Sequence, residues 1–301
     1  LSKHEDGQIF VSPDIATCPD CARELFDKNN RRYLHPFINC TQCGPRLTIL
    51  DSMPYDRVKT SMASFPMCEA CSVEYTDMDS RRYHAQPVCC NYCGPELYTL
   101  VGRASESDVQ GMGTDSERPE GAYGAAALLE TRAVIRNGGI AAIKGIGGFH
   151  LCCDAANEAA VQRLRQLKAR PMKPFAVMMR DLEVVGRECR LEPEMEPLLT
   201  GPQKPIILIP RRDDSADPEN ADSKITDFRI AASVAPDNPN LGVMLPYTPV
   251  HMLLFDYPDD EPISDVLVMT SGNPSGAPIC MNDEEALKYL SPMCDIILSN
   301  S

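Results

Sequence analysis

Eight of the fourteen cysteines fall into one spacing used twice. Cys18-x-x-Cys21 is followed after eighteen residues by Cys40-x-x-Cys43, and Cys68-x-x-Cys71 is followed at the same distance by Cys90-x-x-Cys93. A Cys-x-x-Cys pair presents two thiolates from one tight turn, and two such turns complete a tetrahedral four-sulfur site that suits zinc. Four thiolates leave no position for water, so two structural zinc ions are expected and a catalytic one is not. Disulfides or redox dithiols are the competing reading, but neither accounts for eight cysteines in two matching frames. The match extends beyond sulfur. Asn30-Arg31-Arg32-Tyr33 answers Ser80-Arg81-Arg82-Tyr83, and Cys43-Gly44-Pro45 answers Cys93-Gly94-Pro95, fifty residues on in each case, which marks one unit duplicated. His35 and His84 stand at similar places in the copies and offer replacement ligands that four cysteines make unnecessary. Cys89 breaks the frame that Cys90 keeps and reads as a spare. Arg31, Arg32, Arg81 and Arg82 are read as braces of the knuckles rather than as contacts to nucleic acid.

A second chemistry lies between Lys144 and Met179. From Ala159 to Arg180 the chain carries Arg163, Arg165, Lys168, Arg170, Lys173 and Arg180 without one Asp or Glu, although the formal net charge is -14. Phosphate needs cations in fixed geometry with backbone amides nearby, so this reversal reads as an anion site. Lys168, Arg170 and Lys173 flank Pro171 and Pro174 beside an apolar strand and are expected to be held rigidly. Arg163 and Arg165 are expected on a solvated helix face. Lys144-Gly145 and Thr270-Ser271-Gly272-Asn273 end predicted strands, and a nucleotide site is expected where such ends converge. Neither GxxxxGK[ST] nor GxGxxG order occurs at Gly145 to Gly148, which disfavours P-loop and dinucleotide folds. Ser271 lacks the context of a hydrolase nucleophile.

These residues must be positioned by about two domains, for which 301 residues with 43% hydrophobic content suffice. The expected division is a tandem metal-binding module at 1–101, a polar linker at 102–120 and an α/β domain at 121–301. Gln8 to Val11 reads as a brief strand. Helices are predicted after Ala125, around Leu182 to Cys189, around Glu194 to Leu199, from Thr248 through His251, and from Asn282 to Leu290. Strands are predicted at 139–143, 175–179, 205–209, 266–269 and 296–298, and residues 211–224 read as a charged loop. Mixed order of this kind is an α/β or α+β arrangement, with α+β expected for the chain as a whole. The sequence pI near 4.8 excludes a general nucleic-acid coat. The lack of a long apolar run, together with cysteines in metal-type spacing, points to a reducing, cytoplasmic setting without membrane attachment. A first residue other than Met and an end soon after an apolar run suggest a piece of a longer protein.

The paired CPDC…CTQCGPR and CEAC…CNYCGPE modules, followed by KGIGGFHL, KARPMKPFAVM, LGVMLPYTPVH and VMTSGNPSG, resemble the HypF family of hydrogenase-maturation carbamoyltransferases over nearly the whole chain. The resemblance implies a duplicated zinc-finger module followed by a YrdC-like twisted-sheet domain. It also implies an acylphosphatase-like domain before them and a carbamoyl-transfer domain after. The implied chemistry is ATP binding with Mg2+, formation of carbamoyl adenylate from a group supplied as carbamoyl phosphate, release of pyrophosphate, and transfer to the C-terminal cysteine of a HypE partner. Carried onto this chain, Lys144, Lys168, Arg170 and Lys173 would hold phosphates and carbamate. Thr248, His251, Thr270, Ser271 and Asn273 would line the nucleotide pocket. The alternative is a binding module, since YrdC-like domains also resemble double-stranded RNA binders and zinc ribbons can accompany them.

Overall fold

The computed structural model describes residues 11–100, 120–212 and 230–301, so the expected strand at Gln8 to Phe10, nearly all of the 102–120 linker and most of the charged 211–224 loop lie outside the described residues. Two compact units divide between Gly94 and Pro95.

In the first unit the duplication is literal. Helix α1 (Pro19–Phe26) and helix α2 (Glu69–Thr76) each start directly after the first cysteine of a frame and carry the second in their first turn. Cys18 and Cys68 hold the extended backbone of an N-cap, and Pro19 fits the first helical position because its missing N–H would have had no partner there. Each helix ends at an aspartate, Asp27 or Asp77, whose carboxylate accepts from the N–H two residues on. The chain then returns through Leu34 and His84, both with positive φ (55° and 50°). Their N–H groups bond back to the carbonyls of Leu25 and Tyr75. The equivalents are therefore Leu34 with His84 and His35 with Ala85, which corrects the reading of the two histidines as one place repeated.

The second unit is built on an eight-stranded mixed sheet. In chain order its elements are β1 (Leu97–Leu100), α3 (Ala125–Arg136), β2 (Ala141–Gly145), β3 (Gly148–Asp154), α4 (Glu158–Leu167), β4 (Ala176–Met179), α5 (Leu182–Glu188), α6 (Glu196–Thr200), β5 (Ile207–Pro210), β6 (Asn240–Met244), α7 (Pro249–Phe255), β7 (Val266–Ser271), α8 (Asp283–Tyr289) and β8 (Ile296–Asn300). The strand order is β1-β8-β2-β3-β7-β4-β6-β5. One face buries Phe149, Leu151, Cys153, Val177, Met179, Val266 and Val268 against α4, α5 and α8. Side chains alternate along a strand, so His150, Cys152 and Met178 turn to the other face. The predicted elements are present, each within a few residues. Three strands were missed. β1 lies at the end of the stretch read as the metal module and pairs with β8, and the compact units divide just before it. β3 starts at Gly148 within a glycine-bearing stretch that signals a turn, and β6 carries Gly242 in a short run. Gly148, with φ 145°, is needed there because a Cβ would stand 2.6 Å from Ile279 and 2.8 Å from the Cys280 carbonyl. Among the described residues no helix is long and apolar enough to cross a membrane.

Candidate metal centres and anion site

The eight framed cysteines form two tetrads, Cys18, Cys21, Cys40 and Cys43, and Cys68, Cys71, Cys90 and Cys93, with all four sulfurs of each within 4.8 Å of one another. Sulfur separations are 3.7 Å for Cys18–Cys40 and Cys40–Cys43, 3.8 Å for Cys68–Cys90 and Cys90–Cys93, and 3.6 Å for Cys71–Cys93. Thiolates around zinc at about 2.3 Å stand about 3.8 Å apart at the corners of a tetrahedron, so both donor sets have the size of a closed zinc site. No disulfide joins any of the described cysteines.

The arginines brace these knuckles crosswise. Arg31, from the first copy, donates to Cys71 Sγ at 3.2 Å and Glu74 at 2.5 Å, both in the second copy. Buried Arg32 reaches Cys71 Sγ at 3.6 Å, Glu74 and the Cys89 carbonyl. In return Arg81 lies 3.8 Å from Cys21 Sγ and 3.9 Å from Cys18 Sγ and pairs with Glu24 at 2.6 Å. Buried Arg82 donates to Glu24 and to the Asn39 carbonyl. Burial works to raise the Glu74 carboxyl, but the hydrogen bonds from Arg32 and Arg31 outweigh it and hold it at about 2. His35 is not a ligand. It is buried, with Nε2 3.2 Å from Cys89 Sγ and Nδ1 2.9 Å from Asn91. Burial keeps His35 neutral, down at about 3, and Cys89 is a core thiol pushed up to about 12 by the same cause. His84 is exposed.

In the second unit, antiparallel pairing of β2 with β3 and of β3 with β7 brings Lys144-Gly145, Gly148 to His150 and Thr270-Ser271 to one end of the sheet's inner strands. The turn after β7 is set by Gly272, whose N–H bonds the Phe149 carbonyl at 2.7 Å, an approach that a Cβ would block. α4 delivers the cations. Lys168, its C-cap and 5% exposed, donates to the Ser271 carbonyl at 2.6 Å and to the carbonyl and side chain of Asn273 at 3.0 and 3.1 Å. Ser271 Oγ donates to the same Asn273 oxygen at 2.6 Å. Arg170 lies 3.4 Å from Thr270 Oγ1, donates to the Lys173 and Pro174 carbonyls and stands over the Phe175 ring. Burial, and after it the charge of Arg170, lowers Lys168 to about 8. Lys173 is exposed. The expected residues Lys168, Arg170, Thr270, Ser271 and Asn273 thus form one connected group.

Lys144 stands beside it across β3, over the Phe149 ring, 3.1 Å from the Asn300 carbonyl and 3.7 Å from Asp283. Thr248 caps α7, accepting the His251 N–H at 3.2 Å. The His251 ring packs on Tyr247 (centroids 4.5 Å) and His150 (6.2 Å). Both His251 nitrogens and His150 Nδ1 are buried without a hydrogen-bond partner among the described residues. Burial holds His251 neutral, down at about 3. His150, opposite Ser271 in the β3–β7 register, was missed because its signal was alternation inside an unrecognised strand.

Arg165 corrects the solvated-face reading. It is buried, stacks on Phe175 at 4.5 Å and donates to the carbonyls of Arg170, Lys173, Ser233 and Val234, fixing the loop that carries Arg170. Arg163 is exposed as expected, paired with Asp295 at 2.6 Å.

Residues 133–301 match the family described as Telomere recombination (Sua5, YciO and YrdC), and residues 17–50 and 67–100 each match the HypF finger. The chain is 46% identical to carbamoyltransferase HypF2 of Cupriavidus necator, over 99% of this chain and 35% of that protein. It is 44% identical to carbamoyltransferase HypF of Rhodobacter capsulatus, over 97% of this chain and 34% of that protein. It superposes on crystalline T. kodakarensis HypF with a TM-score of 0.84 at 39% identity, covering 98% of this chain and 34% of that one. Against full-length HypF in its phosphate- and nucleotide-bound form the TM-score is 0.81 at 45% identity, with 99% and 34% covered. The chain spans about a third of the length of these relatives. With paired fingers and a Sua5/YciO/YrdC segment in the same order and at this identity throughout, the chain belongs to the HypF carbamoyltransferase family.

Proposed function

We propose that residues 95–301 bind ATP with Mg2+ and form carbamoyl adenylate. A carbamate oxygen attacks the α-phosphorus, the new C–O–P linkage forms as the bond to the β-phosphate oxygen breaks, and pyrophosphate leaves. Carbamate is derived from carbamoyl phosphate. The carbamoyl group passes finally to the C-terminal cysteine of a HypE-type acceptor, in cyanide-ligand synthesis for nickel-iron hydrogenase. The observation that carries this reading is the cationic group at the β7 turn, in which Lys168 and Arg170 are fixed by carbonyls and a hydroxyl with no carboxylate of the described residues at salt-bridge distance. Fixed, uncompensated cations stabilise a pyrophosphate leaving group more than they stabilise the ground state. Lys144 and Lys173 extend the phosphate and carbamate contacts, while Thr248, His251, Thr270, Ser271 and Asn273 line the pocket. Magnesium is held mainly by phosphates and water. Each cysteine tetrad holds one structural zinc, consistent with a reducing, cytoplasmic setting.

The test is to supply the 301-residue chain with ATP, magnesium and ammonium carbamate and to follow pyrophosphate exchange and the mass of the product. Carbamoyl adenylate is expected, with a HypE-type cysteine left unmodified, because the resemblance assigns carbamoyl-phosphate cleavage and final transfer to segments of the relatives outside this third. Carbamoylated acceptor made by this chain alone would refute the division of labour. Salt-sensitive binding of double-stranded RNA without ATP turnover would favour the binding-module alternative.

A further inference from the structure

The crossed arginines join two sites that each copy could otherwise build alone. Arg31 and Arg32 lie inside the eighteen-residue span between Cys21 and Cys40, the span that closes when the first tetrad takes up a metal. Yet their guanidinium groups lie on Cys71 and Glu74 of the second tetrad's copy. Arg81 and Arg82 lie between Cys71 and Cys90, and lie on Cys18, Cys21 and Glu24 of the first. Zinc on four thiolates carries two net negative charges, and the adjoining glutamate adds a third. Two guanidinium groups offset most of that charge and also donate to the ligating sulfurs, the kind of outer contact that tunes a metal site. Neither copy supplies these contacts to itself.

We infer that each metal site is completed by the opposite copy, so that the two ions are taken up and released together. Arg31, Arg32, Arg81 and Arg82 are positioning residues for a metal bound by the cysteines of the opposite copy. Order imposed by an ion in one tetrad sets the arginines that favour the thiolate form of the other. Coupling of this kind is reciprocal by linkage. The inference is independent of the adenylation chemistry.

Cobalt(II) in place of zinc gives a sulfur-to-metal absorption band that reports each tetrad directly. In Arg81→Gln, a side chain one-third exposed, one of the two cobalt ions is expected to bind about tenfold more weakly. Thiol alkylation mapped by mass should then appear at Cys18, Cys21, Cys40 and Cys43, in the copy that was not altered. Arg31→Gln should give the mirror result at Cys68, Cys71, Cys90 and Cys93. Arg81→Lys, which keeps the charge, should recover part of the loss. Alkylation confined to the altered copy's own tetrad would overturn the inference. A second measurement needs no variant: native mass spectrometry during chelator titration of the zinc protein should show two-metal and metal-free chains, with the one-metal species scarce. Accumulation of the one-metal species at the level expected for independent sites would also overturn it.

Discussion

The two units use arginine and lysine in opposite ways. In the fingers Arg32 meets Glu74 and Arg82 meets Glu24, with further guanidinium contacts turned on sulfur, while buried Arg46 ties the knuckle's backbone carbonyls together. Near the β7 turn Arg165, Lys168 and Arg170 meet carbonyl and hydroxyl oxygens and the Phe175 ring, and no carboxylate among the described residues. A carbonyl orients a cation without cancelling it. The fingers therefore spend their cations on architecture, while the sheet keeps its cations fixed and electrically available.

The largest expected effect is on the finger side. Chelation, or Cys21→Ser, should strip hydrogen-exchange protection from residues 11–94, because folding and metal binding are coupled in small zinc units. β3 and β7, with a core of their own, should keep theirs. Cys89→Ala should retain both metals by elemental analysis.

Next in size is Arg165→Ala. Removing a buried guanidinium that satisfies several carbonyls should cost about 3 kcal/mol in urea unfolding of the second unit. Its helical neighbour Arg163, in an exposed ion pair, should cost at most about 1 kcal/mol. Equal costs would erase the distinction between fixed and solvated cations on α4.

Arg170→Ala should weaken ATP binding by about 1.5–3 kcal/mol by titration calorimetry with little change in stability, the scale of a charge-assisted hydrogen bond. A smaller effect follows from Lys168. With its folded value lowered to about 8, ATP affinity should decline as pH rises through 8 and the ammonium loses its proton. Protein stability should move the other way: the unfolded lysine still binds its proton up to about 10.4, so unfolding takes up a proton and stability rises with pH across that window. An ATP affinity flat from pH 7 to 9 would remove Lys168 from the site.

Much of this was legible in the sequence because cysteine spacing and a duplicated frame are rigid constraints, and Thr270 to Asn273 lie on a turn that strand patterning predicts. What was not legible had physical causes. Arg165 sits on the polar side of α4 by charge pattern, and only the loop folding back over Phe175 buries it. β3 runs apolar through Phe149, Leu151, Cys152 and Cys153 with only His150 and Asp154 polar, so its alternation is faint, and its two-residue turn resembles a phosphate loop. The crossing of the arginines is invisible in a repeat, since a copy that braces itself and a copy that braces its twin have the same sequence.

The pairing of β1 with β8 has a mechanical consequence. Leu97 stands opposite Asn300, and Glu96 exchanges hydrogen bonds with Ser301 at 3.0 and 3.2 Å, so the chain passes into and out of the sheet at one corner. Tension applied between residues 96 and 301 would run across the strands rather than along them. The ladder would load one rung at a time and peel from Leu97 toward Leu100, as a zip opens, instead of resisting as a set of bonds sheared together. In an optical trap the second unit should yield at low force from that corner and at markedly higher force when pulled along the β3–β7 direction.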